Sequence, residues 1–108
     1  MPRGYEVERI IVKNADRLRQ RLPKGARLVA LDERGADLST AQFAKLLAEP
    51  TAFVIGGPDG LDEAMKREAS LLVRLSSLTL PHALAQVILL EQLYRAATVV
   101  TGHPYHRA

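Results

Sequence analysis

Three short apolar runs, RLVALD at 27–32, AFVIGG at 52–57 and LLVRLSSLTL at 71–80, alternate with segments whose apolar residues recur at helical spacing. This alternation constrains the fold most. Strands separated by helix-length connections pair in parallel, and a parallel sheet needs helices packed on its faces. In the first segment Val7, Ile10, Ile11, Leu18 and Leu22 fall on one side of a helix, with Arg9, Lys13, Arg17 and Arg21 mainly on the other, and Pro23 and Gly25 end it. ERGAD at 33–37 reads as a turn after the first strand. STAQ at 39–42 is a capping box, in which Gln42 reaches back to the helix start. Leu38 and Phe43 supply the accompanying staple; Phe43, Leu46 and Leu47 face inward, and the helix stops before Pro50. GLDEAMKREA at 60–69 is a short helix, and Pro81 precedes a long helix to about Thr101. The expectation is an α/β chain with a mainly parallel sheet flanked by helices, folded as a single domain over residues 1–108.

Only 5% of the residues are aromatic and Trp is absent, so the core is built from Leu, Val, Ile and Ala. The absence of Cys excludes disulfides, thiolate chemistry and zinc-thiolate sites. MPRGYEVERI has no unbroken apolar stretch of the signal-peptide kind, which makes cytoplasmic the default location. The apolar segment 83–100 is interrupted by Gln86, Glu91, Gln92 and Arg95, which favours a soluble helix over a membrane span. That helix is apolar on two faces, Leu89, Leu93 and Val100 on one and Leu90, Tyr94 and Ala97 on another, so a homodimer using it is expected. Residues 1–27 carry eight basic side chains against three acidic ones, a local net charge of +5, while the remainder is at −2. Such a block is either a footprint for phosphate backbones or a solvated helix face.

Two stretches carry candidate chemistry. VIGGPDG at 54–60 places Gly56, Gly57 and Gly60 between a strand and a helix, where backbone can approach a ligand closely. The spacing matches neither the dinucleotide fingerprint nor a nucleotide P-loop, and in isolation a plain tight strand-to-helix turn is the favoured reading. LSSLTLPHALAQ at 75–86 interleaves Ser76, Ser77 and Thr79 with Leu75, Leu78 and Leu80 before Pro81. Main-chain groups beside apolar walls suit a flat heterocycle such as adenine. On spacing alone the favoured reading is a strand followed by a Pro-initiated helix, with His82 an early helical residue. His103 and His106 form an H-x-x-H pair, too few ligands for a metal without a third, so no metal site is expected.

Together, IGGPDGL, the LSxLTLPH loop, LLEQLYRA and the terminal HPYHR resemble the RlmH family of ribosomal RNA large-subunit methyltransferases, in the SPOUT class of knotted methyltransferases. The motifs keep the family's order and spacing over residues 27–108, and LVALDERG resembles its preceding strand. The resemblance implies an α/β trefoil knot over about residues 52–101, a homodimer, and S-adenosylmethionine as methyl donor. The implied substrate is a pseudouridine in helix 69 of the 23S RNA, methylated at N3 within the assembled ribosome. By motif the donor site is Leu31, Gly56, Gly57, Ser76, Ser77, Leu78, Thr79, Leu80 and Pro81, while Arg95, His103, Tyr105, His106 and Arg107 face the RNA and target base. Family members begin with a strand, a helix and another strand, whereas only MPRGYEVERI stands ahead of the first basic helix here.

An in-line methyl transfer needs alignment more than covalent help from the protein. The ring nitrogen must lose a proton, for which His106 is the leading acceptor and Tyr105 the next, with Arg95 and Arg107 holding phosphate or the developing anion. Competing readings are a non-catalytic RNA-binding or assembly module, and a knotted methyltransferase with another RNA target.

Overall fold

The computed structural model describes residues 7–8, 15–56 and 61–102. Within them lie α1 (Ala15–Arg21), β1 (Arg27–Asp37), α2 (Thr40–Leu46), β2 (Thr51–Ile55), α3 (Glu63–Glu68), β3 (Leu71–Arg74) and α4 (His82–Thr101). The three strands form one sheet in the order β2-β1-β3, and both pairings are parallel, as the alternation requires. Central β1 sets Arg27–Leu31 against Thr51–Ile55 on one side and Val29–Leu31 against Leu71–Val73 on the other. Its consecutive residues Leu28, Val29 and Ala30 are all buried, which a strand covered on both faces demands.

Each helix start follows from its sequence. Ser39 Oγ accepts from the Gln42 N–H at 3.2 Å while Gln42 Oε1 accepts from the Ser39 N–H at 2.7 Å, so the capping box closes on both sides. Leu38 packs on the core that receives Phe43, Ala44 and Leu46, and the Phe43 and Phe53 rings stack at 6.2 Å. Asp62 caps α3 by accepting from the Met65 N–H at 2.7 Å, and Met65 is the buried residue of that helix. The Ser70 N–H and hydroxyl both donate to the Leu28 carbonyl, fixing where β3 starts beside β1. Helix α4 buries Leu89, Leu93 and Ala96 with Val29, Val73, Phe43 and Leu46. Gly102 then stops it in the left-handed conformation, φ 74°, which glycine adopts without strain. Helix α4 is long and apolar enough to cross a bilayer by length and composition, but its buried face and its Glu91–Arg95 ion pair make it a core helix.

Three expectations need correction. ERGAD is not a turn: β1 runs on through it to Asp37, with a bulge between Leu31 and Ala36, both of which pair with Val73. The cause is Gly35, where a Cβ atom would stand 2.6 Å from Val73 backbone atoms, so only glycine lets the two chains approach. LLVRLSSLTL is strand only to Arg74, because Asp37↔Arg74 is the last pair β1 can offer, and residues 75–81 form a loop. The faces of α4 also divide differently. Val100 is exposed and Ala97 fully buried, so the outer apolar face is Leu84, Val87 and Leu90. Of the first helix, Val7 is exposed and α1 covers Ala15–Arg21, while Arg9, Ile10, Ile11 and Lys13 lie outside the described residues.

Candidate functional site

A cleft of about 670 Å³ opens beside the bulge of β1 and the carboxyl ends of β2 and β3, with Leu31, Ile55 and Arg74 on its wall. In open parallel sheets ligands bind at such strand ends, where successive connections leave for opposite sides of a central strand. Here β2 and β3 flank β1, so the crevice lies beyond Leu31. Gly56, just past β2, contributes one wall, and the loop before α4 contributes Leu75, Ser76, Leu78, Thr79, Leu80 and Pro81.

The sequence-derived donor residues therefore converge. Leu31, Gly56, Ser76, Leu78, Thr79, Leu80 and Pro81 share one cleft although up to fifty residues separate them. Ser77 is exposed and is not part of the cleft lining. Gly57 lies outside the described residues, as do His103, Tyr105, His106 and Arg107. Arg95 sits on α4 away from the cleft lining, donating to Glu91 Oε1 at 2.6 Å one helical turn back. Glu91 also accepts from Gln92, whose side-chain oxygen in turn accepts from the Thr40 hydroxyl, so Arg95 belongs to a network tied to α2.

The cleft also contains groups that sequence reasoning missed: Asp32, Glu33, Lys66, Arg74 and His82. Lys66 Nζ stands 3.7 Å from Asp32 and 3.6 Å from Glu63. Arg74 is engaged by Asp37, whose hydrogen bonds raise the guanidinium's already high proton affinity, with the opposite charge adding to it. Glu33 accepts from the Thr79 hydroxyl at 3.3 Å, which links the bulge of β1 to the loop before α4. Lys66 is shared by Asp32 and Glu63, and Arg74 is taken by Asp37, so with Glu33 the four carboxylates around the cleft outnumber these two cations by two. Apolar walls with a mildly acidic rim favour a ligand that combines a flat heterocycle with positive charge. His82, the first residue of α4, donates from Nδ1 to the Gly56 carbonyl at 2.6 Å. The local signal for Asp32 and Glu33 was their position directly after Leu31, where the bulge of β1 begins.

Among the described residues no cluster of three or more His, Cys, Asp or Glu side chains is placed to hold a metal ion. The His103 and His106 pair lies outside them.

The chain matches, over residues 2–106, a family model described as "Predicted SPOUT methyltransferase". It is 50% identical over 111 aligned residues to proteins named ribosomal RNA large subunit methyltransferase H from Burkholderia vietnamiensis and Burkholderia cenocepacia, covering 97% of this chain and 71% of each relative. The protein of that name from Burkholderia ambifaria strain AMMD is 48% identical over the same shares. Similarity thus extends upstream of residue 27, through the basic segment as well as the motifs.

Proposed function

The chain belongs to the SPOUT methyltransferase family, within its RlmH group of ribosomal RNA large-subunit methyltransferases, and from that membership we propose N3-methylation of a pseudouridine in helix 69 of 23S RNA. The observation that carries the donor half of this reading is the convergence of Leu31, Gly56 and the 76–81 loop on one cleft at the strand ends.

S-adenosylmethionine, when bound there, supplies an electrophilic methyl group. The cleft suits it chemically: apolar walls from Leu31, Leu78 and Leu80 accept a purine, the hydroxyls of Ser76 and Thr79 and the backbone of Gly56 offer directed hydrogen bonds, and Asp32 and Glu33 favour a cation. Gly57 and Ser77 complete the donor set by motif. Leu75 and Pro81 add further apolar surface to the lining.

The rest of the proposal falls on the RNA side. His106 takes the N3 proton, Tyr105 stacks on the base, and Arg95, His103 and Arg107 engage the RNA. The exposed Leu84, Val87 and Leu90 of α4 are read as the seam of a homodimer. The knot is assigned to about residues 52–101, and the working location is the cytoplasm, where ribosomes are found.

The test is methyl transfer from labelled S-adenosylmethionine to assembled ribosomes, free 23S RNA and transfer RNA. Label on ribosomes, lost when the helix 69 pseudouridine is replaced by uridine, is the expected result. Label on transfer RNA alone moves the substrate. Donor binding by calorimetry without label on any RNA favours a non-catalytic binding module.

A further inference from the structure

The two walls of the cleft belong to strands that never pair. β1 lies between β2 and β3, so among the described residues no backbone ladder joins Gly56 to the loop that leads into α4. The start of α4 also lacks the usual anchor: Pro81 stands at the N-cap position and makes no side-chain cap hydrogen bond. A helix start without a cap leaves its orientation to other contacts.

His82 supplies that contact. Its Nδ1 lies 2.6 Å from the Gly56 carbonyl oxygen, and the ring is itself part of the cleft lining. A carbonyl only accepts, so Nδ1 carries the hydrogen, which for the neutral ring specifies the Nδ1–H tautomer. We infer that His82 is a positioning residue: by tying the first residue of α4 to Gly56, just past β2, it fixes the width of the cleft between Gly56 and Thr79–Pro81 and thereby the affinity for a nucleoside-bearing sulfonium donor. The inference rests on the donor-binding reading of this cleft and adds a residue to it. The bond spans 26 residues of sequence and closes a gap the sheet leaves open, so losing it frees one wall relative to the other.

Two side chains discriminate this role from simple space filling. In Asn the amide nitrogen sits the same number of bonds from Cβ as Nδ1 does in His, whereas in Gln it lies one bond farther. The experiment is calorimetry of the full chain with S-adenosylmethionine and S-adenosylhomocysteine, on wild type, His82→Ala, His82→Asn and His82→Gln. His82→Ala and His82→Gln are expected to bind both ligands about five- to tenfold more weakly, the range one lost hydrogen bond supports. His82→Asn is expected within about twofold of wild type, because it restores the donor at the same place. In labelled-methyl assays KM for the donor rises in His82→Ala with kcat nearly unchanged, a split that general unfolding does not produce.

Nitrogen-15 NMR of the neutral His82 ring is expected to show the hydrogen on Nδ1, a readout independent of any ligand. A hydrogen found on Nε2, wild-type affinity in His82→Ala, or an Asn variant as weak as Ala overturns the role of His82. Failure of the wild type itself to bind either ligand overturns the donor reading of the cleft, and this inference with it.

Discussion

Arg74 Nε donates to Asp37 Oδ1 at 2.7 Å and its Nη2 pairs with Oδ2, so the last register pair between β1 and β3 is also a two-point ion pair. It fastens the strand ends just past the bulge, at the rim of the cleft that Arg74 helps to line. The hydrogen bonds from Arg74 hold the Asp37 carboxyl below its ordinary range, its charge adds to that, and partial burial works the other way. A carboxyl depressed on folding contributes stability above its unfolded value of about 4, and that contribution is lost as pH falls through the lower folded value. Asp37→Asn is therefore expected to melt slightly below wild type at pH 7, with the gap closing progressively below about pH 4. Melting curves from pH 2.5 to 7 check this, and a gap that stays constant to the acid limit counts against the ion pair as its source.

The approach of Gly35 to Val73 makes the bulge intolerant of a side chain. Because the atoms 2.6 Å from a built Cβ are backbone, no rotamer change relieves the clash, and β1 and β3 must separate. Gly35→Ala is expected to cost about 1–3 kcal/mol in urea unfolding, as overpacked sites do. It should also weaken donor binding, since the displaced strand carries Leu31, Asp32 and Glu33. Unchanged stability shows that β1 has another route past Val73.

The contrast between Gly35 and Ser39 explains what was legible in the sequence. The capping box is local, four residues that satisfy one another, and its two hydrogen bonds close as read. A glycine amid charged residues carries the same local signature whether it turns the chain or lets a distant strand approach, and the deciding atom belonged to Val73, 38 positions away. The end of β3 was hidden for a similar reason: Leu75–Leu80 has strand-like composition, but β1 has no residue left to pair with it. At the cleft, the motifs identified loop residues, whereas the Lys66–Asp32 contact and the His82–Gly56 bond depend on how elements 26 or more residues apart come together.

Helix α4 separates packing from association. Leu93 is buried in the core, so Leu93→Ala is expected to cost about 2–5 kcal/mol of stability. Val87 is 62% exposed on the opposite side, where a charge costs the folded subunit little. If that face is the dimer seam, Val87→Glu yields monomers by light scattering with unchanged helical circular dichroism. A variant that stays dimeric places the seam elsewhere.

Glu33 tests the charge argument for the cleft. Its carboxylate is held by Thr79 and is surplus to the ion pairs formed by Lys66 and Arg74. Glu33→Gln keeps an acceptor for the hydroxyl and removes the charge. Attraction at a solvent-reached site is modest, so affinity for S-adenosylmethionine should fall about two- to fourfold, and less for the uncharged sulfur of S-adenosylhomocysteine. Added salt should shrink the difference. An equal loss for both ligands assigns Glu33 to shape rather than charge.

The proposed division of labour between cleft and tail makes a last, stronger prediction. Among the described residues the core cluster, from Val29 and Val73 to Leu89 and Leu93, lies within residues 29–99, and the proposal gives the tail work on the RNA side rather than in this cluster. Deleting residues 103–108 is therefore expected to leave the melting temperature and donor affinity near wild type while abolishing methyl transfer, because the proton acceptor and the RNA-facing groups go with it. His106→Ala within the full chain refines the assignment. If His106 accepts the N3 proton, single-turnover rates should fall about 10²- to 10⁴-fold, and the neutral-pH inflection in the rate profile should disappear. Loss of rate with the inflection preserved moves the proton to Tyr105 or to solvent and leaves His106 a base-orienting role. Loss of folding on deletion shows instead that the tail completes the core.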